Sequence, residues 1–121
     1  MTTEKHPTML DYVHESPEAL ECALTNHETL CGPLVARYVA ESSDGTSTGN
    51  VVLVACGSSR NAAECAAPLM RRALGARVTV STPGTCLVSE TFPVRGTFHL
   101  VVTQSGCSTN ALAVLDRLRG T

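Results

Sequence analysis

Tryptophan is absent from the 121 residues, and aromatic side chains make up only 3%. A core built from this chain must therefore be packed from Val, Leu, Ala and Cys. Charge is sparse as well: charged residues are 17%, the formal net charge is −2, and Lys and Arg are scattered rather than clustered. That distribution lacks the electrostatic footprint of a DNA-binding or anionic-membrane-binding protein. No uninterrupted apolar stretch approaches the ~20 residues needed to cross a bilayer, and Met1 to Pro7 is polar, without the hydrophobic segment of a signal peptide. The sequence predicts a cytoplasmic protein with neither nucleic acid nor membrane as partner. No Cys-x-x-Cys pair occurs among the six cysteines, Cys22, Cys31, Cys56, Cys65, Cys86 and Cys107. Most lie in apolar patterns where a thiol packs as a small hydrophobe, so in a reducing compartment they read as free. His6, His14, His27 and His99 lack metal-site spacing such as His-x-x-x-His, and neither a metal nor a cofactor is expected.

What is present has the composition of a globular protein, with 43% apolar residues and a length of about one domain. A polar lead-in covers residues 1 to 15, and a single domain is expected from 16 to 121. Ser16-Pro17-Glu18 supplies a helix start, with a serine cap, a proline at the first position and an early acid. A helix is predicted from Pro17 to about Cys31, broken by Gly32-Pro33 before a second apolar stretch from Leu34 to Ala40. Ser42 to Asn50 is rich in turn formers and reads as a surface loop. Val51 to Cys56 is a continuous β-branched apolar run, the pattern of a strand buried on both faces of a parallel sheet. Gly57-Ser58-Ser59 leads from it into a helix with Ala62, Ala66, Leu69 and Ala73 on one face, ending near Gly75. Pro68 lies inside that helix and removes its hydrogen bond to the Glu64 carbonyl. Further strands are predicted at Arg77 to Ser81 and Thr97 to Thr103, with a short helix or irregular connection from Pro83 to Glu90. The last helix, about Cys107 to Arg119, would turn Ala111, Leu112, Leu115 and Leu118 inward. Strands alternating with connections too long for hairpins give an α/β fold, a three-layer α/β/α sandwich around a parallel sheet of about three strands.

Two turns carry the chemistry. Gly57-Ser58-Ser59 follows the first strand where a helix begins, so the free N–H groups of its first turn point out at the strand's carboxyl end. Thr103-Gln104-Ser105-Gly106-Cys107-Ser108-Thr109 repeats the arrangement after the third strand, with a glycine for the tight turn and hydroxyls around it. Either turn alone is an ordinary helix cap. Together, at the same end of buried strands in one sheet, they lie where ligands bind in open α/β folds. A phosphate presents several acceptor oxygens. Hydroxyls, the Gln104 amide and backbone N–H groups suit it, each charge-assisted bond being worth roughly 1.5–3 kcal/mol.

Ala55-Cys56-Gly57-Ser58-Ser59 and Thr103-Gln104-Ser105-Gly106 resemble the sugar isomerase (SIS) domain family of glucosamine-6-phosphate synthase and the fructosamine-6-phosphate deglycases. Ser16-Pro17-Glu18-Ala19-Leu20 is similar to its helical lead-in. The resemblance spans roughly residues 10 to 119. It implies a flavodoxin-like sandwich and a bound sugar phosphate held by Gly57, Ser58, Ser59, Thr103, Gln104, Ser105, Gly106 and Ser108. It also implies pairing into homodimers or higher homo-oligomers with sites near the interface. Cys107 departs from the family by standing where an acid is common, and Asn110 by standing where aspartate often lies. Domains of the family continue through further strands, so the resemblance implies the front portion of one, with catalytic residues falling outside it.

Within the chain, Glu90 is the one carboxylate considered as a general base, since enolising a sugar phosphate needs a proton acceptor close to C1 and C2; a solvated loop acid is the plainer interpretation. Cys107 beside a helix N-terminus is a conceivable reactive thiol, with simple packing the plainer role. The resemblance implies a phosphosugar isomerase or deglycase relative. The alternatives are a non-catalytic sugar-phosphate sensing module or a remnant stabilised by association.

Overall fold

The computed structural model describes residues 7–43 and 49–119. The chain forms two compact units, Met1–Val39 and Ala40–Thr121.

The first unit is helical, and its boundaries differ from the sequence expectation. Helix α1 spans Met9–Thr25, beginning inside the supposed lead-in. Its start is a capping box: the Thr8 hydroxyl accepts from the Asp11 N–H at 3.3 Å, while the Asp11 carboxylate accepts from the Thr8 N–H at 2.6 Å. Those reciprocal bonds satisfy two end donors and pull the helix start eight residues ahead of Ser16. Pro17 is consequently interior, and the Ser16 hydroxyl donates back to the Tyr12 carbonyl at 2.8 Å instead of capping. The break falls at Asn26, whose backbone N–H and side-chain amide both donate to the Cys22 carbonyl. Helix α2, His27–Ser43, runs through Gly32 and Pro33, so that pair does not end a helix. Most of the Ser42–Asn50 loop lies outside the described residues.

The second unit is an α/β sandwich. Its strands are β1 (Asn50–Ala55), β2 (Arg77–Ser81) and β3 (Thr97–Val102). The sheet is three-stranded and parallel, in the order β2-β1-β3, so the apolar run Val51 to Ala55 is the central strand. Register sets Val52 beside Thr79 and His99, and Val54 beside Ser81 and Val101.

Helix α3 (Gly57–Leu74) packs on β1 and β2. It ends at Gly75, whose φ of 60° is the left-handed cap that glycine adopts without Cβ strain. The buried residues are Ala63 and Ala67, whereas Ala62, Ala66, Leu69 and Ala73 are exposed. The buried stripe is thus one residue away from the predicted face. In a helix this rich in alanine neighbouring stripes are nearly equal in hydropathy, and the sheet selects the one that lets the backbones approach. Helix α3 runs through Pro68 without ending there.

Helices α4 (Pro83–Val88) and α5 (Thr109–Arg119) cover the other face. There Val54, Cys86, Phe92 and Val114 form a buried cluster, with Val52, Leu87, Val101 and Leu118 packed against it. Val114 is fully buried and Ala111 nearly so, but Leu112 is 45% exposed, correcting its inward assignment. Arg117 ties this layer together. Its guanidinium donates to the carbonyls of Cys86, Leu87 and Ser89 at 3.0–3.1 Å and lies 5.6 Å from the centre of the Phe92 ring.

Candidate functional site

Strand order alone creates a crevice. The chain passes from β1 through α3 to β2 on one side, then through α4 to β3 on the other side of β1. Crossovers of parallel strands are right-handed almost without exception, so this reversal sends the connections to opposite faces. The carboxyl ends of β1 and β3 therefore form a topological switch point, the place where open α/β sheets hold ligands. Ala55 pairs with Val102, and the very next residues open the two turns. Cys56–Ser59 and Thr103–Ser108 thus leave adjacent strands at the same level, about 4.8 Å apart.

The first turn has donors to spare. Cys56 is the N-cap of α3 and provides no side-chain cap bond, while Gly57 sits at φ 58°. By contrast, Thr8 caps α1 and Thr82 caps α4 through their hydroxyls. The N–H groups of α3's first turn hence face outward without a capping side chain. Cys56, Gly57 and Ser58 are exposed and Ser59 is half-buried.

In the second turn Gly106 has φ 67°, and the Ser105 hydroxyl accepts from the Cys107 N–H at 3.1 Å. That bond shapes the turn and leaves the Ser105 hydroxyl hydrogen for another acceptor. The Ser108 carbonyl accepts from the Leu112 N–H at 2.9 Å, which places Ser108 at the entrance to α5. Thr103 and Ser108 are half-buried; Gln104, Ser105, Gly106 and Cys107 are exposed. All eight residues assigned to phosphate binding by resemblance therefore lie at one edge of the sheet.

Glu90 does not join them. It lines a cavity of about 730 Å³ with Phe92, Arg95, Thr97, His99 and Leu118, at the amino end of β3. Thr97 and Thr103 are separated by roughly 20 Å at ~3.3 Å per residue, so Glu90 is at the wrong end of the strand to serve as a base at the turns. His99 in that cavity wall bonds the Thr97 backbone, while burial pushes its pKa below the ordinary imidazole value. Its Nε2 is buried without a partner, and its ring meets Phe92 edge-on at 5.0 Å. Of the other histidines, His14 and His27 lie on exposed helix surface and His6 falls outside the described residues.

Sequence reasoning passed over Arg60. Its N–H closes the first α3 turn on the Cys56 carbonyl at 3.3 Å, and its guanidinium lies 3.5 Å from Glu64. The signal was its place directly after Gly-Ser-Ser, where a long cation can reach an anion at the helix end. Cys56 and Cys107 are both exposed thiols beside the turns, and all six cysteines are unpaired. No group of three or more His, Cys, Asp or Glu suited to a metal occurs among the described residues, and no described helix is long and apolar enough to cross a membrane.

Comparison of the chain with protein-family models, curated proteins and solved structures returns no match.

Proposed function

We propose that the chain binds a phosphorylated sugar at the carboxyl edge of β1 and β3, the phosphate held between the Ser58-Ser59 turn and the Thr103–Ser108 turn. The observation that carries this reading is the switch point between two adjacent parallel strands, each followed at once by a hydroxyl-rich turn. Backbone N–H groups of α3, with the hydroxyls of Ser58, Ser59, Thr103, Ser105 and Ser108 and the Gln104 amide, are donors of the kind phosphate oxygens accept. The sugar part of the proposal rests on the resemblance of the two turns to the sugar isomerase family. The role is binding: Glu90 is too distant to act on a ligand anchored there. The compartment proposed is the cytoplasm, where six unpaired thiols stay reduced.

Thermal shift against sugar phosphates, the same sugars without phosphate, and inorganic phosphate tests the proposal. A ligand at ~100 times its Kd stabilises by about 2.7 kcal/mol. The expected result is a rise in Tm for phosphorylated ligands with the wild type and none with a Ser59→Ala/Ser105→Ala double variant. Equal shifts for both proteins, or none for the wild type, would refute it.

A further inference from the structure

A cavity occupies the other end of β3 from the serine turns. Glu90, Phe92, Arg95, Thr97, His99 and Leu118 are in its wall, around about 730 Å³, within the ~300–1,000 Å³ usual for small-molecule sites. Thr97 and His99 share the parity of Val101 on β3, so they face the α4/α5 side of the sheet. There Phe92 meets the His99 ring edge-on at 5.0 Å. Phe92 is buried, whereas Glu90 and Arg95 are exposed. The cavity thus has an apolar base and two opposite charges at its rim.

Those charges set it apart. Arg60 has Glu64 and Arg119 has Asp116, while Arg71 and Arg117 donate to backbone carbonyls. Arg95 and Glu90 line one cavity, yet they form an ion pair neither with each other nor with any other described residue. Opposite charges held apart in one wall are both available to a ligand that carries the complementary pair. His99 adds no charge, because burial lowers its pKa and the ring is neutral at pH 7. Its unpartnered Nε2 is itself buried rather than open to the cavity. The wall is therefore neutral in sum and dipolar, which suits a zwitterion and disfavours a phosphate, whose negative charge would meet Glu90.

We propose that this cavity binds an α-amino acid with an apolar side chain, its carboxylate on Arg95 and the Thr97 hydroxyl, its ammonium on Glu90, and its side chain against Phe92 and Leu118. A guanidinium matches a carboxylate through a charge-assisted fork, and an ammonium donates to a carboxylate. The two charges fix the ligand's orientation, and the apolar base selects its side chain. The site is independent of the phosphate reading. Thr97 and Thr103 are roughly 20 Å apart at ~3.3 Å per residue, so an amino acid held here does not touch the serine turns.

Titration of the full chain with L-leucine and L-phenylalanine, followed by amide chemical shifts, tests this. Saturable shifts are expected within residues 90–99 and around Leu118, unchanged in the Ser59→Ala/Ser105→Ala variant. N-acetyl-L-leucine, which lacks the ammonium, and L-leucinamide, which lacks the carboxylate, should each bind about tenfold more weakly than leucine. Glu90→Gln should weaken leucine by a similar factor without further weakening N-acetyl-L-leucine, and Arg95→Gln should do the same with respect to L-leucinamide. That crossed pattern separates contact with the ligand from a merely structural effect. Absence of saturable shifts with both amino acids overturns the proposal, as do shifts centred on 56–59 or 103–108, or blocked analogues that bind as well as leucine. The ligand series on the wild type decides the matter by itself should a variant misfold.

Discussion

Replacing Arg117 by methionine tests the packing of the α4/α5 layer, because the substitution keeps the apolar stem and removes only the guanidinium. That group closes the carboxyl end of α4, where the Cys86 and Leu87 carbonyls have no partner within so short a helix, and it also holds the Ser89 carbonyl of the following loop. Hydrogen bonds to a charged donor contribute about 1.5–3 kcal/mol each, and a cation over a ring adds about 0.5–1 kcal/mol. The bonds share one donor group and the carbonyls can partly rehydrate, so the sum is not additive. A loss of about 2–4 kcal/mol is expected, set against roughly 0.05–0.15 kcal/mol of total stability per residue. For a unit of this size that lowers Tm by about 10–25 °C. Urea unfolding followed by far-UV circular dichroism suits the chain, which lacks tryptophan. Arg117→Lys should recover only part of the loss, since a single ammonium cannot reproduce the planar fork. If Arg117→Met unfolds within 0.5 kcal/mol of wild type, a threshold below the ordinary single-bond value, the guanidinium is not what holds α4 and the 89–92 segment to α5.

His99 gives a pH prediction whose sign follows from its depressed pKa. The unfolded chain takes up a proton near pH 6.5 that the folded chain resists, so His99 contributes stability above that pH and loses it as pH falls toward the folded pKa. Wild type should therefore destabilise on acidification through about pH 6.5, and His99→Gln should flatten that part of the curve; an unchanged slope would refute the assignment. Ala63→Leu should destabilise by about 1–3 kcal/mol through overpacking against the sheet, while Ala62→Leu, on the exposed side, should stay within about 0.5 kcal/mol; chemical denaturation that reversed the order would move the buried face of α3. Gly57→Ala, forced to φ 58°, should lose about 1–2 kcal/mol from left-handed strain and weaken any anion binding by displacing the first α3 turn, both readable in a thermal shift.

The sheet was legible because its signals are local. Val51 to Ala55 has no polar interruption, so only a strand covered on both faces suits it, and the turns after β1 and β3 are punctuated by Gly57 and Gly106, which adopt the positive φ that their places require. Errors arose where two signals competed. Ser16-Pro17-Glu18 is a sound helix start in isolation, but Thr8 with Asp11 offers two reciprocal bonds, and a helix already under way tolerates Pro17 at the loss of one. Gly32-Pro33 was overruled likewise by the joint at Asn26. The face of α3 was ambiguous for want of contrast among alanines. Arg117 was invisible for another reason: its three acceptors lie 28–31 residues away, and no periodicity reports a side chain that closes another helix.

The location of the candidate site follows from topology more than from any one residue. Had the order been β1-β2-β3, consecutive connections would lie on one face, and the two serine turns would be separated by the strand between them. The order β2-β1-β3 makes β1 and β3 neighbours, and a ligand spanning about 4.8 Å between strands can then meet both turns at once. The same order leaves β3 at the edge of the sheet with β1 as its one strand neighbour, so the second turn follows a strand paired within the sheet on one side, whereas the first follows a strand paired on both.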